Sequence, residues 1–249
     1  MNLLNYEKGN ILFRGSPVSD LNRNRLGYMP EERGLFAKQD VTKQILYFAQ
    51  LQGMQKNGLA GLVRNALEEF ELSGEKTTLG KLSLGNQQRI QIIVALIHNP
   101  ELLILDEPFS GLDPLATTQL LKILQKRVKE GKSVIFSSHQ LSLVEQVCQR
   151  ILILDEGQII ADDSIENLRK FARVKYRILS KSIPNQWSTG KFFQEISRTE
   201  SEVVVEFERG DIESLASQVL NLAITFGPVM GFEEIVPTLA EIYEALIIQ

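Results

Sequence analysis

Apolar and polar positions along the first 100 residues predict short strands followed by amphipathic helices. Over residues 60–71, Leu62, Ala66, Leu67 and Phe70 return at the three- to four-residue spacing of one helix face. Two brief extended segments are bounded by turn-forming Gly or Pro residues. The predicted elements of this region are strands at 10–15 and 26–30 and helices at 41–54 and 60–71.

A denser pattern begins at Leu82, where a Ser/Gly turn leads into an apolar helix over 87–98. Asn99-Pro100 ends this helix, and the apolar run LLIL at 102–105 is typical of a strand covered on both faces. Strands that alternate with helices predict an α/β fold with a mostly parallel sheet. The further elements are helices at 114–129 and 141–149, a strand at 133–138 and a hairpin that begins with 151–154.

The pattern changes beyond about Phe171, where three extended runs and two helices indicate a small α+β domain. The extended runs are VKYRILS at 174–180, EVVVEFE at 202–208 and VMGFEEIV at 229–236. Its helices are predicted over 211–226 and 238–248. We therefore expect two domains, an α/β domain at 1–170 and an α+β accessory domain at 171–249. The first would include a helical subdomain over about 35–98.

Composition narrows the classes of protein that this chain can represent. With 249 residues and 43% hydrophobic content it can bury a real core, and its net charge of -4 argues against a broad nucleic-acid surface. Its one cysteine, Cys148, lies in an apolar helical pattern, which indicates a structural thiol and a reducing compartment. No apolar run approaches the ~18 residues of a membrane span, so membrane attachment would come through a protein partner.

Two adjacent acids, Asp106 and Glu107, follow the strand at 102–105. This places them at the carboxyl end of a buried parallel strand, where open α/β sheets bind ligands. A buried carboxylate needs a partner, and phosphate-bound magnesium is a natural one. Read alone, the acid pair could equally well end a strand and start a turn.

Four motifs read together resemble the ATPases of ATP-binding cassette (ABC) transporters. They are LSLGNQQ at 82–88, ELLILDEP at 101–108, SGLD at 110–113 and SSH at 137–139. The resemblance covers about residues 1–165 and implies a P-loop NTPase fold with a helical signature subdomain. Within the family, the chain is most similar to the subgroup with GY-P-EERGL and LSLGNQQ motifs and a C-terminal domain, often paired with multidrug- or sodium-export permeases.

This resemblance implies ATP and Mg²⁺ as cofactors and assigns roles to three side chains. Asp106 would bind magnesium through its water shell, and Glu107 would be the general base that polarises the attacking water. His139 would contact the γ-phosphate, since an imidazole at a strand end can donate to a phosphate oxygen.

The resemblance also implies a nucleotide contact across a dimer interface. Ser83, Gly85 and Asn86 precede or begin a helix whose free backbone N–H groups can bind an anion. In the family, this signature segment reaches the γ-phosphate held by the opposite subunit. Asp113 of the SGLD turn would lie at the same interface.

The chain departs from the common family pattern at two places. Leu84 replaces the first glycine of LSGGQ and Asn86 its glutamine, which is the form that the resembled subgroup prefers. Where the family often has a glutamine after GY-P, this chain has Glu31, or Glu32 if the loop shifts by one residue. Glu31 is thus a candidate ligand for the magnesium-bound nucleotide, and the alternative is a solvated charge run.

The phosphate-binding loop of the family (Walker A), Gly-x-x-x-x-Gly-Lys-Ser/Thr, occurs nowhere in the sequence. That loop supplies backbone N–H groups and a lysine to the phosphates, so we expect most nucleotide affinity to be lost. The chain would then be an N-terminally truncated member that lacks on the order of 40 residues. We expect the lost strand to lie beside 102–105, and its loss to leave the chain poorly folded by itself.

These observations favour an ATP-binding and ATP-hydrolysing subunit of an ABC exporter, inactive alone. Its expected partners are a membrane permease and a second ABC ATPase, in a homo- or heterodimer, with no nucleic acid. It would lie in the cytoplasm on the inner face of the membrane. An alternative is a non-catalytic subunit that donates only its signature segment to a complete ATPase. ABC-type ATPases of translation or DNA repair fit less well, because the chain has one cassette and no heptads.

Overall fold

The computed structural model describes residues 8–17, 23–32, 34–72, 77–185, 187, 192–207 and 211–247. The chain forms two compact units, Met1–His139 and Gln140–Gln249. The domain boundary that the sequence suggests near residue 170 falls inside the second unit, and it stays a prediction.

A three-stranded parallel sheet forms the centre of the first unit. Its order is β3-β4-β5, so β4 has a hydrogen-bonded neighbour on each side. The expectation that a missing strand would lie beside 102–105 is therefore wrong. Gly27 of β3 has no room for a side chain because the backbone of Ala95 lies directly over it. The strands are β3 (Leu26–Met29), β4 (Leu102–Leu105) and β5 (Ser133–Phe136).

Four helices and a small hairpin complete the described part of the first unit. Each of three helices starts at a side-chain cap, and the third of these caps, Asp113, is followed by Pro114 in the first turn. The helix predicted at 114–129 has these bounds in the structure. The elements are β1 (Leu12–Phe13), β2 (Ser16–Pro17), α1 (Val41–Leu51), α2 (Leu59–Glu69), α3 (Leu84–Leu96) and α4 (Pro114–Lys129).

The second unit begins with a short helix and a hairpin. The hairpin turns at Glu156 and Gly157, which both have positive φ, as a two-residue turn between twisted strands requires. Its strands pair antiparallel with each other. The elements are α5 (Leu141–Val147), β6 (Ile151–Asp155), β7 (Gln158–Asp163) and α6 (Ile165–Leu168).

A four-stranded antiparallel sheet and two helices follow in the second unit. The sheet order is β11-β8-β10-β9, and α7 packs on one face over a core that includes Ile178, Val205 and Val219. The strand β9 has no counterpart among the predicted elements. The elements are β8 (Lys175–Leu179), β9 (Phe193–Arg198), β10 (Glu202–Phe207), α7 (Ile212–Thr225), β11 (Gly231–Ile235) and α8 (Leu239–Ile247).

The last helix belongs to a different core from that of the antiparallel sheet. Leu239 and Ile242 of α8 are buried with Ile151 and Ile153 of the β6–β7 hairpin and Leu168 of α6. The end of the chain thus returns to a segment that the sequence pattern assigns to the preceding domain.

Candidate functional site

The acid pair and the SSH segment lie together at the carboxyl edge of the parallel sheet. Leu105 of β4 is in register with Phe136 of β5, so the residues that follow both strands emerge side by side. Strand-like hydrogen bonds continue past the strand ends, because the Ser137 N–H donates to the Leu105 carbonyl at 3.0 Å. The pairing of β4 with β5 therefore sets the distance between the acid pair and the SSH segment.

Glu107 and His139, the two predicted catalytic residues, are in contact. The Glu107 Oε1 atom lies 3.0 Å from His139 Nδ1 and accepts a hydrogen bond of 2.9 Å from the His139 backbone N–H. The Glu107 side chain is 16% exposed, whereas that of His139 is 75% exposed. The other oxygen, Oε2, is buried and has no hydrogen-bond partner among the described residues. One oxygen is thus oriented by His139, and the second is a buried acceptor that can receive a proton or a hydrogen bond.

Ser137 connects the two acids, and sequence reasoning had not selected it. Its hydroxyl donates to Asp106 Oδ1 and accepts a hydrogen bond of 3.0 Å from the Glu107 N–H. Glu107 has a φ of 46°, a left-handed conformation that is uncommon for a residue other than glycine. The sequence signal that could have identified Ser137 is its hydroxyl group, which comes directly after β5, the neighbour of the strand that precedes the two acids.

The signature segment and the SGLD turn also meet. A Cβ atom on Gly85 would lie 2.9 Å from the Gly111 carbonyl oxygen, so only glycine fits at this crossing. Ser83 is exposed and its hydroxyl accepts from the Asn86 N–H at 3.3 Å, which caps α3. Asp113 caps α4 by accepting from the Ala116 N–H at 2.8 Å. The backbone of Gly85 therefore makes a close approach to the SGLD turn.

Glu31 lies in an exposed loop that follows β3. No contact of Glu31 with the acid pair is seen in the part of the chain that the structure describes. Its loop is held by Gln91 of α3, whose Nε2 donates to the Pro30 carbonyl at 2.7 Å and the Glu32 carbonyl at 3.3 Å.

A second glutamine of α3 binds the loop that carries Glu107. Gln88 Nε2 lies 3.2 Å from the Glu107 carbonyl oxygen and 3.3 Å from that of Pro108. Gln88 and Gln91 are 4% and 5% exposed in a helix of mostly apolar residues. Polar residues buried in this way need partners, which is the sequence signal that could have identified them.

The carboxylates fit a magnesium ion only together with phosphate oxygens and water. Within the described ranges, no three His, Cys, Asp or Glu residues converge as a metal site. Magnesium usually binds nucleotides with one or two carboxylates and several waters, and Asp106 can supply one such carboxylate at this edge.

The fold that carries this edge is a mixed α/β fold that ABC ATP-binding subunits share. A solved structure described as "Structure of ATP binding subunit of ABC transporter" has a TM-score of 0.60 and 27% identity to this chain, covering 66% of this chain and 70% of the other. The family model described as "ABC transporter" matches residues 1–110.

Sequence relatives identify the family. An uncharacterised ABC transporter ATP-binding protein of Alkalihalophilus pseudofirmus is 33% identical over 249 residues, covering 98% of this chain and 91% of the relative. The uncharacterised ABC transporter ATP-binding protein YhaQ of Bacillus subtilis is 40% identical over 171 residues, covering 68% of this chain and 57% of the relative. The chain belongs to the family of ABC transporter ATP-binding subunits.

The relatives do not agree on the direction of transport. Relatives that are 29–31% identical are named for methionine import and for lipopolysaccharide and Nod factor export. No helix in the described parts of the chain is long and apolar enough to cross a membrane.

Proposed function

We propose that this chain is the ATPase subunit of an ABC exporter, in which ATP-driven closure of a dimer of ATPase subunits acts on a membrane permease. The observation that carries this proposal is the pair of Glu107 oxygens. One is oriented by His139, and the other is buried without a hydrogen-bond partner among the described residues. Glu107 Oε2 would accept the proton of the attacking water. Export rests on the subgroup that the motifs resemble and on the relatives named for lipopolysaccharide and Nod factor export, against one relative named for methionine import.

The neighbouring residues complete the hydrolytic edge. Asp106 would hold the water shell of magnesium, which, when bound, neutralises phosphate charge. His139, whose side chain is 75% exposed, would donate to the γ-phosphate while its backbone N–H keeps Glu107 in place. Glu31 would reach the same nucleotide if its loop moves towards the sheet edge.

The signature segment would complete a second subunit's site. Ser83 is exposed at the start of α3, where backbone N–H groups can bind an anionic oxygen. Asn86 and Asp113 flank the Gly85–Gly111 contact, so the signature and the SGLD turn form one surface. ATP bound between this surface and another subunit's phosphate loop would hold the two subunits together.

The permease would contact the helical subdomain, which we place at about 35–98. Its described part exposes Phe36 (50%), Tyr47 (51%) and Leu51 (62%), and Phe48 contacts the rings of Phe36 and Tyr47. An exposed aromatic group of this kind suits a protein interface. We expect Tyr47→Glu to reduce co-purification with the permease, while Val128→Glu on α4, 39% exposed, leaves it unchanged.

ATP binding by this chain alone should be weak. The sequence contains no Gly-x-x-x-x-Gly-Lys-Ser/Thr, so the donors for the β- and γ-phosphates must come from another segment or subunit. Adding a family phosphate-loop unit upstream should restore ATP binding in a direct binding assay. Equal affinity with and without this unit would contradict the proposal.

A second candidate is a non-catalytic subunit that donates only its signature surface to a complete ATPase. The lack of the phosphate loop together with the exposed Ser83 favours it. Its acid pair would then be idle.

Two variants of the assembled transporter separate the candidates. If the chain hydrolyses ATP, Glu107→Gln should lower the rate by about 100-fold or more, the usual contribution of a general base. Ser83→Arg should also lower it by blocking the dimer contact. If only the signature is donated, Ser83→Arg alone will lower the rate. If neither variant changes it, both candidates are wrong.

A further inference from the structure

We propose that Ser137 is a positioning residue that holds Asp106 and Glu107 in their working arrangement. The inference rests on the proposed roles of these two acids in ATP hydrolysis. Ser137 touches no reacting atom in this arrangement and acts through its two neighbours.

One hydroxyl group serves both acids. A serine hydroxyl has a single hydrogen to donate and lone pairs to accept. Here the hydrogen goes to Asp106 Oδ1, and a lone pair accepts the Glu107 N–H at 3.0 Å. The hydroxyl therefore fixes the carboxylate of one acid relative to the backbone of the next.

The hydrogen bond to Glu107 supports an unusual backbone conformation. Glu107 has a φ of 46°, which places its side chain in a direction that a strand continuation would not give. The backbone N–H of a residue in this conformation leaves the sheet ladder and needs another acceptor. Ser137 Oγ supplies this acceptor.

The sheet keeps Ser137 itself in place. Its own N–H donates to the Leu105 carbonyl at 3.0 Å, so its backbone is an extension of the β4–β5 ladder. Two residues later, the His139 N–H binds Glu107 Oε1 at 2.9 Å. The segment after β5 thus holds Glu107 at both its backbone and its carboxylate, and Ser137 provides the backbone contact.

The chain offers a matched control at the start of the strand that Ser137 follows. Ser133 lies four residues before Ser137, is exposed and begins β5 at the opposite end of the sheet. Ser133→Ala removes a serine hydroxyl from this strand without touching the acid pair. Ser137→Thr keeps the hydroxyl at the site.

The first measurement is steady-state ATP hydrolysis by the assembled transporter. We expect Ser137→Ala to lower kcat by about 10- to 100-fold, as loss of a group that orients metal-binding residues does. KM for ATP should change less than kcat, because in the proposed arrangement Ser137 acts through Asp106 and Glu107. Ser137→Thr and Ser133→Ala should both stay near the wild-type rate. Equal rates for Ser137→Ala and Ser133→Ala would overturn the proposal.

The second measurement is amide hydrogen exchange of this chain within the assembled transporter, without nucleotide. Loss of the hydroxyl acceptor should speed exchange at the Glu107 amide by about tenfold or more, as expected when an amide loses its hydrogen bond. The Asp106 amide, which donates to the Met29 carbonyl at 2.9 Å, is the internal control and should not change.

The two measurements separate this inference from the proposed function. Unchanged exchange at Glu107 in Ser137→Ala would overturn the positioning role, whatever the ATPase result. If Glu107→Gln leaves hydrolysis unchanged, the proposed function fails, and the exchange result alone decides whether Ser137 positions the acid pair.

Discussion

At the scale of single residues, several polar groups of the signature region bind the chain's own backbone. Ser83 and Asp113 each cap a helix, so their oxygens orient the helix starts that the proposed dimer contact uses. The two helix starts come into contact at Gly85. Its backbone lies so near the Gly111 carbonyl that a side chain there would collide with it.

Gly85→Ala should separate the signature from the SGLD turn. The added methyl would lie 2.9 Å from a backbone oxygen that cannot rotate away, so one of the two turns must shift. We expect a loss of unfolding free energy of about 1–3 kcal/mol, the usual cost of overpacking. Urea denaturation of the full chain measures it, with the exposed Leu84→Ala as the control. A stability equal to that of the control would contradict this account.

At the scale of elements, α3 connects three parts of the candidate site. Its start carries Ser83 and Gly85, while Gln88 binds the Glu107 loop and Gln91 binds the loop of Glu31. One helix therefore connects the signature directly to the loops of Glu107 and Glu31.

The helix α8 gives the clearest stability prediction among the elements. Ile242 of α8 is fully buried in the core that α8 shares with the β6–β7 hairpin. Ile242→Ala should lower the unfolding free energy of this core by about 2–5 kcal/mol, because it leaves a cavity. Glu244→Ala on the exposed face is the control, and chemical denaturation monitored by circular dichroism is the measurement. Similar midpoints for both variants would show that α8 does not close this core.

At the scale of the whole molecule, both units leave apolar surface exposed on their strands. In the first unit Ile135 of β5 is 57% exposed, and in the second Leu152, Leu154 and Ile159 of the hairpin are 47–61% exposed. Such surfaces promote association, so they support the expectation that the chain alone is poorly folded, which stays a prediction.

The single tryptophan allows the second unit to be followed separately as the pH falls. Trp187 is 4% exposed and its indole N–H donates to Glu195 Oε2 at 2.7 Å. Hydrogen bonds from Arg198 above all, and from Trp187, hold the pKa of Glu195 below its ordinary value of 4.5, against the opposing effect of burial. A carboxylate with a lowered pKa in the folded state stabilises the fold above about 4.5 and loses this effect as the pH falls through the folded pKa.

With Glu195→Gln, the unfolding free energy of the second unit should therefore fall less steeply as the pH becomes acidic. Urea denaturation followed by Trp187 fluorescence at several pH values below 6 is the measurement. Glu200→Gln, at an exposed position, should keep the wild-type slope. If Glu195→Gln keeps this slope as well, Glu195 does not contribute to the acid sensitivity.

Much of the secondary structure could be predicted because its causes are local. The run LLIL, the breaks at Asn99-Pro100 and the cap Asp113 before Pro114 lie in consecutive residues, and β4, α3 and α4 form there. The strand β9 was missed because its register with β10 depends on a partner nearby in the sheet rather than on its own alternation.

The family and the positions of the acid pair, the signature and His139 follow from the sequence alone, because each motif is a short run with a characteristic order. Only the tertiary structure decided that Ser137 joins the two acids, that Gln88 and Gln91 tie α3 to both loops, and that β4 has neighbours on both sides. These facts depend on strand register and helix packing between residues far apart in the chain, which local patterns do not specify.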